Sequence, residues 1–306
     1  MDQVQITAFG GPEVVSPTTG SLPAVGSHQA VVRVEMVGLN PLDLKIIAGY
    51  MAQVFPVVFP YIPGTDFSGV VEVVNSDVSD VRVGDRVVGR TSPGAGGALA
   101  NRLLIPASDL LVIPSDMSFE QAAALPTAFG AARQALVDSG KLKAGQRVLI
   151  HAAAGGVGMM AVQQAHHLGA HVIATTSAAN ETLVKSLGAD EVIDYRVGDF
   201  GKLREIDLVL DTMGGETLEK SWQVLGHGGG IVSLVDFGIQ PQYGHAGEFV
   251  FFAQAIPFLS AAIDMYKTDA LQIVIDAIYP LAEVRSALEK LGTGHARGKV
   301  LVRVAH

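Results

Sequence analysis

The chain contains no cysteine. That absence excludes disulfides and any thiolate metal site. Basic residues are also few: 21 Lys and Arg against 30 Asp and Glu give a formal charge of −9. Such a balance argues against general binding to nucleic acid or to an anionic membrane, while leaving room for a local basic pocket. No run approaches the ~18 consecutive apolar residues of a membrane span. The first residues, MDQVQITAFG, lack the basic and apolar regions of a signal peptide. The expectation is a cytoplasmic protein with neither nucleic-acid nor membrane partners.

What is present is apolar bulk and regular alternation. Apolar residues make up 49% of the 306, enough for a large core, and the length suggests about two domains. Residues 1–115 read mainly as strands and turns. AVVRVEMVGL (30–39) and GVVEVV (69–74) are rich in β-branched residues, and VGDRVVGR (83–90) places a Gly-Asp turn before a short strand. The texture changes at SFEQAAALPTAFGAARQAL (118–136), where Ser118 and Gln121 have capping-box spacing before an alanine-rich helix. From residue 146 apolar strands alternate with helical segments, which implies parallel strands and crossover helices. After about residue 268 a helix, LAEVRSALEKL, precedes a strand, GKVLVRV, whose texture resembles that of the first region.

The strand RVLIHA and the helix MMAVQQAHHLGA enclose Ala153-Ala154-Gly155-Gly156-Val157-Gly158. This matches the dinucleotide-binding fingerprint, with alanine in the first glycine position. Gly155 lets backbone approach a diphosphate, and Gly158 lets helix and strand pack closely. Phosphates then sit on free N–H groups at the helix N-terminus. An acid at the end of the second strand would select NAD. Here Thr175, Thr176 and Ser177 stand there, and Tyr195 and Arg196 follow the third strand. The cofactor expected is therefore NADPH.

Eight segments in order then resemble one family: GLNPLDLKIIAGY (38–50), PGTDFSGVV (63–71), VGDRVVG (83–89), AAALPTAFGAA (122–132), HAAAGGVG (151–158), LGADEVIDY (187–195), DTMGGETL (211–218) and GHARGKVLV (294–302). The chain is similar to the medium-chain dehydrogenase/reductase superfamily, in its zinc-free quinone oxidoreductase (zeta-crystallin-like) branch. The resemblance implies an α/β protein. A GroES-like β-barrel domain (1–118 plus 268–306) is split around an inserted Rossmann domain with a doubly wound parallel sheet (119–267), and the active site lies in the cleft. Zinc-dependent relatives carry a histidine where this chain has Thr65, and no metal is expected. Without a Lewis acid, the favoured acceptors are already electrophilic: a quinone, or an alkene conjugated to a carbonyl.

By the same resemblance, Asn40 and Thr127 lie near the nicotinamide. Ala153, Gly156 and Val157 contribute diphosphate-contacting backbone. Ser233 and Leu234 end a strand beside the nicotinamide ribose, and FVFFAQ (249–254) resembles the segment that meets the carboxamide. Asp43, Asp66, Asp85 and Asp211 are expected to fix loops and turns. Two positions depart from the pattern. Asn180 stands where many relatives place a lysine for the 2′-phosphate, and Lys45 stands where many have tyrosine. The proposed chemistry is hydride transfer from NADPH to a quinone. One alternative is NADPH-dependent reduction of an enone, alkenal or enoyl thioester, for which Tyr50, and secondarily Lys45, is the candidate proton donor. A second alternative is a non-catalytic nucleotide-binding or sensor protein. The family is often dimeric, so a homodimer is expected.

Overall fold

A computed structural model describes residues 1–304 of the chain. The chain divides into two compact units. One comprises Met1–Thr127, Ala253–Asp264 and the residues from Ile273 onward; the other comprises Ala128–Phe252 and Met265–Gln272.

The first unit is built on strands. β1 (Asp2–Gln5) and β2 (Ser16–Thr19) form an antiparallel pair. β3 (Gln29–Gly38) buries Val31, Val32, Val34 and Val37, as its β-branched content predicts. α1 (Pro41–Ile47) starts directly after it. Pro41 occupies the first helical position, and the Asn40 N–H donates to Asp43 Oδ2 at 2.7 Å. β4 (Asp66–Val74), β5 (Arg86–Arg90), β6 (Arg102–Pro106) and β7 (Leu110–Val112) follow. In the turn before β5, Asp85 Oδ2 accepts the Arg82 N–H at 2.8 Å. α2 (Phe119–Ala123) opens with the expected box: Gln121 N–H donates to Ser118 Oγ, and Ser118 N–H donates to Gln121 Oε1.

The second unit begins within α3 (Pro126–Arg133), which continues as a wider turn through Ser139. Strands and helices then alternate. They are β8 (Arg147–Ile150), α4 (Gly156–His167), β9 (His171–Thr176), α5 (Glu181–Ser186), β10 (Glu191–Asp194) and β11 (Ile206–Asp211). α6 (Gly215–Ser221), β12 (Leu225–Ser233) and β13 (Ala246–Phe249) complete the run. The six strands are parallel, in the order β10-β9-β8-β11-β12-β13. Numbered within the unit this is 3-2-1-4-5-6, the doubly wound order, whose direction switches beside β8. Leu149, Ile173, Val209 and Ile231 pack with Phe200 and Trp222 in its core.

After α7 (Ile256–Lys267), β14 (Ile275–Pro280), α8 (Val284–Gly292) and β15 (Lys299–Arg303) return to the first unit. β15 pairs parallel with β14 and antiparallel with β3. It thereby completes a seven-stranded sheet, β14-β15-β3-β4-β5-β7, with β6 alongside β3. This is the split barrel around a doubly wound insert that the sequence implied. Among the described residues no helix is long and apolar enough to cross a membrane.

Candidate functional site

In the second unit the carboxyl ends of the parallel strands gather most of the predicted residues. The turn after β8 is left-handed at Ala152, with φ +48°, one residue before the alanine assigned to the tight corner. α4 then opens on Gly155, with no side-chain cap and no acid in its first turn. The N–H groups of Gly156, Val157 and Gly158 thus begin a helix with no intrahelical acceptor. The two outer glycines differ. A Cβ on Gly158 would lie 2.3 Å from Ala152 O and 2.7 Å from Ala153 Cα, so only glycine lets the helix seat on the turn. A Cβ on Gly155 would meet only Ala152 O, at 3.3 Å, so its far side is open. The Ala153 N–H is already engaged, donating to Thr175 O at 3.0 Å.

A buried histidine, unremarked in the sequence, ties this turn down. His151 is 1% exposed. Ser221 donates its hydroxyl to Thr217 O at 2.6 Å, so toward His151 Nε2, 2.9 Å away, it can only accept. The proton therefore sits on Nε2, and Nδ1 accepts the Thr175 hydroxyl at 3.0 Å. Burial pushes the imidazole down to about 4, against a smaller opposing pull from Asp211. The ring is a neutral strut linking the ends of β8, β9 and α6.

At the end of β11, Asp211 Oδ1 accepts the N–H groups of Met213 and Gly214, and Oδ2 accepts the Ser233 hydroxyl at 2.7 Å. Ser233 Oγ in turn accepts from Val235 and Asp236 N–H. Asp211 thus fixes turns, as expected, and the Ser233 side chain is consumed in the same network. The Leu234 N–H donates to Asp211 O at 2.9 Å.

The cofactor-selecting hydroxyls are placed unequally. Thr175 faces His151, Thr176 is 3% exposed, and Ser177 is half-buried, its Oγ accepting Asn180 Nδ2 at 3.3 Å. Tyr195 and Arg196 follow β10, with the guanidinium carbon 5.6 Å from the Tyr195 ring centre. Asp194, in register with Thr176, accepts the Arg196 N–H at 3.0 Å. Glu181 is paired with Lys185 at 2.7 Å.

The first unit holds a cluster that sequence reasoning saw only in part. Asp66, fully buried, begins β4 next to Thr65. Its Oδ1 accepts the Thr127 hydroxyl at 2.6 Å; its Oδ2 accepts the Thr127 N–H at 2.9 Å and Asn40 Nδ2 at 3.0 Å. Two cations face it: Arg90 Nε at 3.6 Å and Lys299 Nζ at 3.9 Å. Arg90 also donates to Thr127 Oγ1 at 3.0 Å and to Ala253 O at 2.7 Å. Lys299 donates to Asn40 Oδ1 at 2.6 Å and to Leu39 O at 2.8 Å. Asp43 is 2% exposed; Oδ2 caps α1, Oδ1 has no hydrogen-bond partner among the described residues, and burial raises the carboxyl to about 7. Asn40 and Thr127, both assigned to the nicotinamide end, therefore share one carboxylate. Asp66 is a long-range hub, which goes beyond the loop-fixing role expected of it. Arg90 and Lys299 were missed. The available signal was a cation at one end of a short, mostly apolar strand, RVVGR or KVLVR, since a charge that becomes buried must find a partner.

Lys45 and Tyr50 lie elsewhere on the first unit. They line a shallow, almost wholly apolar hollow with Gly10, Gly11, Pro12 and Leu44, and Tyr50 is 82% exposed. Donors for zinc are not assembled. The chain has no cysteine, Thr65 offers only a hydroxyl, and among the described residues no three His, Asp or Glu side chains converge as a metal site.

Residues 26–115 match the family model of the alcohol dehydrogenase GroES-like domain, and residues 187–302 match that of zinc-binding dehydrogenases. The chain is 32% identical to the chloroplastic quinone-oxidoreductase homolog of Spinacia oleracea, across 99% of this chain and 98% of that one. Its fold matches the quinone oxidoreductase of Coxiella burnetii with a TM-score of 0.94, at 33% identity over 100% and 99% of the two chains. It matches the Escherichia coli quinone oxidoreductase complexed with NADPH with a TM-score of 0.86, at 26% identity over 99% and 100%.

Proposed function

From the premise that the chain belongs to the quinone oxidoreductase branch of the medium-chain dehydrogenase/reductase superfamily, we propose that it is a zinc-independent, NADPH-dependent reductase of quinones. One observation carries the reading: the uncapped N-terminus of α4, where Gly155 is bare on its outer side and Gly158 lies tight against Ala152. A side chain at 155 would fill the space a diphosphate needs, and the amides of Gly156, Val157 and Gly158 donate to its oxygens. The residues present fit a nicotinamide dinucleotide. When bound, it supplies the hydride which, with one proton from solvent, converts a quinone to its hydroquinone.

The remaining work falls to the chain. His151 holds the glycine turn at fixed height without carrying charge. Asp211 and Ser233 set the backbone of Leu234 beside the ribose. In the first unit, Asp66 holds Asn40 and Thr127 for the nicotinamide end. Ser177 and Arg196 select the 2′-phosphate. Arg196 is an exposed cation with no ion pair among the described residues, and no carboxylate ends β9. A charge-assisted contact is worth ~1.5–3 kcal/mol, so NADPH should exceed NADH in kcat/KM by about tenfold or more. The absence of cysteine accords with a cytoplasmic setting. β13, paired on one side only, offers an edge for a homodimer.

A second reading, reduction of a conjugated C=C bond, requires a proton donor for the enolate; the sequence candidate is Tyr50, which is exposed and lines a hollow with Lys45 apart from Asn40 and Thr127. Steady-state oxidation of NADPH by a small quinone, an enone and an enoyl thioester separates the readings. Quinone turnover that survives Tyr50→Phe supports the first reading. Turnover of an enone alone, abolished by Tyr50→Phe, supports the second. NADPH binding with no turnover on any of the three would leave a non-catalytic nucleotide sensor, and NADH bound better than NADPH would overturn the phosphate assignment.

A further inference from the structure

We propose that Lys299 is a positioning residue for this reaction, orienting the Asn40 side-chain amide so that only its carbonyl oxygen is left to meet the cofactor. The inference rests on the nicotinamide reading above and deepens it.

An asparagine amide has two orientations of nearly equal shape, and its partners must choose between them. Here the choice is chemical. Asn40 Oδ1 lies 2.6 Å from Lys299 Nζ, which donates to it; burial pulls the Lys299 amine down, the Asp66 and Asp43 charges oppose that, and as an ammonium it can only donate. Nδ2 lies 3.0 Å from Asp66 Oδ2, which as a carboxylate can only accept, and 3.2 Å from Gly38 O. Turning the amide over would set NH2 hydrogens against Lys299 and the oxygen against Asp66. Both Nδ2 hydrogens are engaged. The hydrogen-bonding capacity that remains is the second lone pair of Oδ1.

That polarity has a use. A reduced nicotinamide held here would gain positive charge as its hydride left. A carbonyl oxygen stabilises such charge, whereas NH2 hydrogens would oppose it. Lys299 reaches this position from the strand at the far end of the chain: Leu39 N–H donates to Val300 O at 3.0 Å, and Lys299 also donates to Leu39 O. The lysine is therefore anchored to the residue just before Asn40 as well as to its amide. A bystander counter-ion for Asp66 would do no more than balance charge, and Arg90, at 3.6 Å, is nearer to that carboxylate.

The test combines a readout on the free protein with a kinetic cycle. In 15N-labelled protein without cofactor, the Asn40 side-chain NH2 resonances, assigned by their loss in Asn40→Ser, should exchange with water slowly. In Lys299→Met they should shift and exchange quickly. In single-turnover oxidation of NADPH by a small quinone, each single variant should lower the rate about tenfold while NADPH affinity stays within about twofold, and Lys299→Met should add nothing in the Asn40→Ser background. Rate losses that multiply in the double variant would overturn the proposal, as would Asn40 resonances unmoved by Lys299→Met. Should Lys299→Met fail to fold, fast exchange of the Asn40 NH2 in the unmodified protein overturns it and slow exchange upholds it. If the unmodified protein oxidises no NADPH, the functional reading fails, while the resonance measurement still decides the orientation of Asn40.

Discussion

Asp66 holds Thr127 by both of its polar groups, accepting the hydroxyl on one carboxylate oxygen at 2.6 Å and the backbone N–H on the other at 2.9 Å. The two residues stand 61 positions apart, and the carboxylate between them is fully buried. The start of α3 is thereby fixed to the start of β4. The same carboxylate offsets Arg90 and Lys299, both nearly buried.

Asp66→Asn leaves those two cations facing a neutral amide. Breaking a buried charge arrangement from one side costs ~3–5 kcal/mol. Urea unfolding at pH 7.5 should show a loss of that order. A loss under about 1 kcal/mol would mean that the cluster is solvated in solution.

The buried Asp43 carboxyl makes stability fall with rising pH. Its folded value is raised to about 7 from the ordinary 3.8, chiefly by burial. Between those limits the folded state binds a proton that the unfolded state has lost, so stability declines as pH climbs from about 4 through about 7. Asp43→Asn should remove that decline and should be at least as stable as the parent at pH 8. Parallel pH profiles for the two proteins would sink this assignment.

His151 acts with the opposite sign. Its folded value is depressed to about 4 from 6.5, so below pH 6.5 the unfolded state takes up a proton that the folded state refuses. Stability contributed by the neutral ring is present above pH 6.5 and is lost as pH falls toward 4. His151→Gln should flatten the acid limb, measured as the difference in urea midpoint between pH 7.5 and 4.5 relative to the parent.

Gly155 and Gly158 should fail differently. The Cβ of Gly158→Ala would press on Ala152 O at 2.3 Å, a backbone atom, and overpacking of that kind costs ~1–3 kcal/mol. Gly155→Ala meets its nearest atom at 3.3 Å and should leave the unfolding midpoint almost unchanged. Both should weaken NADPH binding by calorimetry. Equal effects on stability would contradict the assignment of packing to one and ligand access to the other.

The elements most legible in the sequence are those set by near neighbours. The box of Ser118 and Gln121 spans three residues, the turn at Asp85 is equally local, and the glycine turn lies between its own strand and helix. The alternation of β8 through β12 was readable because most of these strands carry a short apolar stretch, as VLI in β8, VIA in β9 and LVL in β11. What escaped was set by distance. Lys299 meets Asn40 across 259 positions, and Arg90 meets Ala253 across 163. No local pattern marks such pairs beyond a charge placed where water does not reach. The inward turn of Thr175 was hidden for the same reason: its partner, His151, directly follows the neighbouring strand β8.

The placement of β15 bears on how the chain is made. It inserts between β14 and β3, so the sheet of the first unit stays open through the translation of the whole second unit. On the ribosome, Asp66 must wait for its second counter-ion until residue 299 emerges, after the inserted domain has had time to fold. A nascent chain of this protein therefore cannot complete the sheet of its first unit until β15 has been made.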